Sequence, residues 1–204
     1  MCGESGIGKS TLVRRFLSQL PASDKALVLS GRCYEQELLP YKAFDGIVDA
    51  LCRHLLTLSP DHVERILPNE APILARVFPV LARLPQLSMA SPQSGHDPGE
   101  LRHIAFVALR EILARCAADH PVILFIDDLQ WSDSDSLLLL SELVRPPAGK
   151  YLICASVRGD PNEPVAEKGT LRLLRDVRAA LRIASMNRLS QREALALVHE
   201  FVGP

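Results

Sequence analysis

The chain has 204 residues, is 48% hydrophobic and carries a formal net charge of −1. That length buries a sizeable core and fits one ordinary globular α/β domain. The near-neutral charge argues against a nucleic-acid surface, no apolar run approaches the ~20 residues that span a bilayer, and the N-terminus lacks the basic and apolar regions of a secretory signal.

The chain opens on Gly3-Glu-Ser-Gly-Ile-Gly8-Lys9-Ser10, which matches G-x-x-x-x-G-K-[ST], the Walker A phosphate loop. Its glycines let the backbone turn successive N–H groups onto a polyanion. The helix that follows adds the positive end of its dipole. Gly3, Glu4, Ser5, Gly6, Ile7, Gly8, Lys9, Ser10 and Thr11 are therefore the expected phosphate-binding residues. Lys9 is placed to reach the β- and γ-phosphates, and the Ser10 hydroxyl to ligate Mg²⁺.

A helix is expected over 9–20, closed by Pro21, then a buried strand over 26–30 ended by Gly31-Arg32-Cys33. Residues 41–58 have helical periodicity. Prolines at 60, 68, 72 and 79 divide the next stretch into short helical pieces. The Pro-, Ser- and Gly-containing run 84–99 reads as a surface excursion. Residues 100–118 read as an amphipathic helix, with Leu101, Ile104, Ala105, Ala108, Ile112 and Cys116 on one face.

The apolar run 121–126 reads as a strand buried on both faces of a parallel sheet, and it ends in Asp127-Asp128. That is the form of a Walker B element. Asp127 is placed to hold Mg²⁺ opposite Ser10, and Asp128 to deprotonate a water for attack on the γ-phosphate. Asp133 or Asp135 is positioned to cap the next helix, over 134–143. A second buried strand, 151–157, ends in Arg158, whose guanidinium is a candidate γ-phosphate sensor and catalytic group. Arg32 has a similar, weaker case. Trp131, the only tryptophan, packs beneath the Walker B turn or stacks on a base.

A helix over 171–181, a short strand around 182–186 and a Ser190-to-Glu193 capping box complete the chain. Alternating strands and helices imply a parallel sheet with helices on both faces, a three-layer α/β arrangement. The five cysteines form no CxxC and read as buried thiols in a reducing cytoplasm. The six histidines show no metal-ligand spacing.

Four runs together carry a family resemblance: 3–11, Gly31-Arg-Cys-Tyr-Glu-Gln36, Asp127-Asp-Leu-Gln-Trp-Ser-Asp133 and Ala155-Ser-Val-Arg158. They resemble the AAA-type ATPase domains of signal-transduction ATPases with numerous domains, which occur in large bacterial regulators. The resemblance implies a P-loop NTPase fold, ATP and Mg²⁺ as ligands, and an ATP-driven switch. It also implies partner domains in a larger polypeptide, such as a kinase, a cyclase, helical repeats or a helix-turn-helix, and nucleotide-dependent self-association. Against that family, 1–204 reads as a partial core. On that reading the helical and winged-helix parts fall outside 1–204 and the strand before the loop is cut to Met1 and Cys2, which would leave the strand 151–157 short of backbone partners. Two rivals stay open: a module that binds nucleotide without hydrolysing it, and a DNA-engaging AAA+ protein of the initiator type.

Overall fold

A computed structural model describes residues 1–20, 26–35, 40–88, 97–145, 150–159 and 182–202. The strands are β1 (Cys2–Gly3), β2 (Leu27–Arg32), β3 (Val122–Asp127), β4 (Tyr151–Ala155) and β5 (Val157–Arg158). The helices are α1 (Lys9–Ser18), α2 (Lys42–Leu55), α3 (Pro60–Ile66), α4 (Ala71–Val77), α5 (Pro85–Ser88), α6 (Pro98–Asp119), α7 (Ser134–Leu143) and α8 (Gln191–Val202). All strand pairs are parallel, in the spatial order β2-β3-β4, with β5 continuing β4 and pairing with β1. Parallel strands joined through helical crossovers bury both faces, which gives the three-layer α/β fold anticipated above.

β3 is the centre of this sheet, and all six of its residues are buried. Its register with β2 sets Arg32 opposite Asp127, so the polar ends of two strands emerge at one edge. β2 runs two residues further than expected, because Gly31 continues the strand instead of ending it. A Cβ at Gly31 would lie 2.6 Å from the Ala43 carbonyl oxygen. Glycine there lets α2 settle directly on β2.

α2 contributes Phe44, Ile47, Val48, Leu51 and Leu55 to the core, each 0% exposed. The prolines do divide the following stretch: Pro60, Pro72 and Pro79 each open a short helix or 3-10 turn, while Pro68 lies between two helices. Pro85 also opens a short helix, so the start of the expected surface excursion over 84–99 is instead helical, with Leu84 and Leu87 buried in the core. A helix start is the position where a missing N–H costs nothing. α6 buries more than the single face expected. Phe106, Leu109 and Leu113 are buried along with Ala105, Ala108, Ile112 and Cys116, because α6 packs on α3, α4 and α7 as well as on the sheet.

The expected strand over 151–157 is broken at Ser156 and only half-buried, with Leu152 49% exposed. The Ser156 amide donates to the Ile126 carbonyl, while the Val157 amide donates to that of Met1, so the chain passes from β3 to β1 at this residue. Beyond β1, the Ser185 segment forms a single parallel bridge to Cys2 instead of a full strand. The expected helix over 171–181 lies outside the described residues.

Candidate functional site

The phosphate loop folds as its glycines require. Gly6 and Gly8 have φ of +78° and +95°, a region that a side chain disfavours. Gly8 is the N-cap of α1 and turns the chain from loop to helix. Lys9 is buried, and its Nζ donates to the carbonyls of Gly3 at 2.9 Å and Glu4 at 2.7 Å. The ammonium is thus held at the mouth of the loop by two acceptors of the loop itself.

The two halves of the site meet. Ser10 Oγ donates to Asp127 Oδ1 at 2.6 Å, 117 residues along the chain. Asp127 is 1% exposed at the end of β3. A buried carboxylate needs donors and a counter-charge. Ser156 Oγ also donates to Oδ1, at 2.6 Å, and Arg14 lies 3.1 Å from Oδ2. Ser156 is itself 0% exposed and accepts from the Asp128 amide at 2.9 Å, so one hydroxyl touches both acidic residues.

Asp128 adopts a left-handed conformation, φ 58° and ψ 42°. Short polar residues tolerate this geometry better than most. Its carboxylate pairs with Arg32 at 3.1 Å through Oδ2 and accepts from Gln130 Nε2 at 3.0 Å through Oδ1. Arg158 is exposed at the end of β5. Its amide donates to Gln130 Oε1, and its guanidinium sits 5.8 Å from the centre of the Trp131 ring. Trp131 is half-buried and packs against the core.

Sequence reasoning missed several partners. Arg14 lies one helical turn after Ser10, on the same face of α1, and that i, i+4 spacing was the available signal. Arg188 pairs with Glu4 of the loop at 2.7 Å, across 184 residues, with no local signal. Asp133 is the helix cap rather than Asp135, which instead pairs with Arg102. His62 pairs with Asp119, its Nε2 2.9 Å from the carboxylate. No cysteine is in a disulfide; Cys2, Cys33, Cys52 and Cys116 are buried and Cys154 is half-buried, and burial pushes the Cys116 thiol up to about 11.

A cavity of about 440 Å³ opens beside Asp127, lined in part by Arg14, Arg32, Tyr34, Lys42 and Asp45. Among the described residues no helix is long and apolar enough to cross a membrane. Nor does any group of three or more His, Cys, Asp or Glu residues form a cluster able to hold a metal. Ser10 and Asp127 together offer hard oxygen donors of the kind Mg²⁺ takes when substrate phosphates complete its shell. The positive-φ glycines, the buried lysine and this oxygen pair fit a magnesium–nucleotide complex.

A family model described as an AAA ATPase domain matches residues 2–154. That span runs from β1 through β4 and includes the loop, Asp127 and Asp128. No curated protein and no solved structure matches the chain. With the phosphate loop and the acidic strand end brought together, and three quarters of its length matched, the chain belongs to the AAA ATPase domain family and is a nucleotide-binding module.

Proposed function

We propose that the chain binds ATP with Mg²⁺ and hydrolyses it slowly, as a switch within a larger signalling or transcription-regulating polypeptide. The observation that carries this reading is the 2.6 Å contact between Ser10 Oγ and Asp127 Oδ1. It joins the two sequence elements that a P-loop ATPase needs at one point.

In this reading the backbone N–H groups from Glu4 to Thr11 hold the phosphates, and Lys9 exchanges the carbonyls of Gly3 and Glu4 for phosphate oxygens. Ser10 and Asp127 would hold Mg²⁺, which would supply positive charge against the phosphates during the transfer. Asp128 takes a proton from water as the water oxygen attacks the γ-phosphorus, and the bond to the bridging oxygen breaks to release ADP. Arg158 leaves Trp131 to meet the γ-phosphate. Ser156 positions the Asp127 carboxylate and the Asp128 backbone.

Each oxygen of Asp128 already takes one donor, from Arg32 and Gln130, and these contacts compete with an attacking water for the carboxylate. That supports a slow, regulated turnover. It also favours a second reading, nucleotide binding without hydrolysis. The partners that suit a switch are kinase, cyclase, helical-repeat or helix-turn-helix domains of the same polypeptide, with nucleotide-dependent self-association in the cytoplasm.

Calorimetric titration of Lys9→Ala tests the loop. ATP affinity should fall by about tenfold or more, the scale of a lost charge-assisted contact. Unchanged affinity contradicts the assignment. Single-turnover phosphate release separates hydrolysis from binding alone.

A further inference from the structure

The Asp127 carboxylate carries more than its two hydroxyl donors. Its side chain is 2% exposed, and a lone buried carboxylate is costly. Oδ1 takes the hydroxyls of Ser10 and Ser156, and Oδ2 takes the guanidinium of Arg14 at 3.1 Å. Arg14 is therefore the cation that neutralises this residue in the structure. We propose that Arg14 is a resident counter-ion of Asp127, and that it must be displaced before a divalent cation occupies the carboxylate. This rests on the reading of Asp127 as a metal residue.

Three observations carry the inference. First, the charges compete. A divalent cation on Asp127 sits within a few ångströms of whatever donates to the other oxygen, and repels it strongly at the low dielectric of a buried site. The two hydroxyls are neutral and can rotate; only the guanidinium carries a charge that must move. Second, Arg14 is able to leave. Its side chain is 60% exposed, so its pair with Asp127 is held loosely on the arginine's side. Third, it has somewhere to go. Arg14 lines the 440 Å³ cavity beside Asp127, which leaves room for its side chain to swing away from the carboxylate. Arg14 thus differs from Lys9, which faces the loop carbonyls and is aimed at phosphate.

The consequence is a built-in threshold. Magnesium binding is coupled to arginine release, so removing the arginine strengthens the coupling between metal and nucleotide. Reciprocity makes that coupling measurable from the nucleotide side. The dissociation constant of a fluorescent ADP is measured on the full chain with EDTA and at saturating Mg²⁺, and the ratio of the two values is the readout. Arg14→Ala should raise this ratio roughly two- to fivefold, the scale of one such ion pair. Arg14→Gln keeps the stem and a donor without the charge, and should raise it similarly if the alanine variant folds poorly. An unchanged or lowered ratio in a folded variant overturns the proposal. So does a loss of ADP affinity in EDTA with no change in ratio, which would make Arg14 a phosphate ligand. Asp127→Asn should drive the ratio towards one. If it does so while Arg14 variants change nothing, only the counter-ion role fails. If Asp127→Asn also changes nothing, the metal assignment fails with it.

Discussion

The carboxylate of Asp133 caps the helix that Tyr41 begins, 92 residues away. Its oxygens accept from the amides of Tyr41 and Lys42, each at 3.1 Å, and from the Ser136 amide of its own helix at 2.8 Å. One side chain therefore satisfies the orphan N–H groups of both α2 and α7. Tyr41 sits at φ 61°, an uncommon conformation for a large residue, and the cap holds it there. Asp133→Ala should cost about 2 kcal/mol or more, because two caps are lost together. Urea denaturation checks this; a loss below about 0.5 kcal/mol would mean that α2 docks without the cap.

The same residue predicts a pH dependence. Burial raises the Asp133 pKa, but bonds from the Ser136 hydroxyl and amide and from the Tyr41 amide outweigh it, and the net shift is downward from 3.8. A lowered folded value means that the carboxylate stabilises the fold above its unfolded pKa and loses that contribution as pH falls through the folded one. The stability gap between the parent and Asp133→Asn should be constant near neutrality and shrink below about pH 3.8. A gap that widens in acid contradicts the assigned hydrogen bonds.

Gly31→Ala tests the approach of α2 to the sheet. The added Cβ would press to 2.6 Å from a backbone oxygen, which no rotamer relieves. A loss of about 2 kcal/mol or more is expected, the scale of overpacking in a close-fitted interior. Nucleotide affinity should also weaken, since Arg32 is the next residue of the strand.

Ser156→Ala removes the hydroxyl that touches Asp127 and the Asp128 amide. ATP binding should survive, while phosphate release slows by roughly tenfold or more through misplaced carboxylates. Lost stability with unchanged single-turnover rate would reduce Ser156 to a structural role.

Arg158 and Trp131 supply an optical test. The guanidinium lies over the only indole of the chain, so its departure should change Trp131 emission. ATP should produce the change and ADP should not, and Arg158→Ala should abolish the difference. Equal responses to both nucleotides would separate Arg158 from the γ-phosphate.

The loop, the acidic strand end and most helices were legible because each is written in contiguous residues. Gly6, Gly8 and Lys9 carry their own chemistry, and prolines at 60, 72 and 79 mark helix starts, whereas the helix that Pro85 opens was hidden in a run that looked like a surface excursion. The ion pairs were not legible, since Arg32 reaches Asp128 only through the register that sets it across from Asp127. Ser156 looked like one more strand residue. Its role arises because the chain changes neighbours there, and the run of apolar residues on either side gives no sign of it.

The most direct test is single-turnover release of phosphate from ATP by the parent chain, Asp128→Asn and Asp127→Asn, with ATP affinity measured alongside. The parent should release phosphate slowly and only with Mg²⁺. Asp128→Asn should bind ATP as well as the parent and release phosphate about 10²-fold more slowly, the scale of a lost general base. Asp127→Asn should instead lose the magnesium dependence of binding. Identical behaviour of the two variants, or phosphate release by Asp128→Asn at the parent rate, would contradict the proposed site.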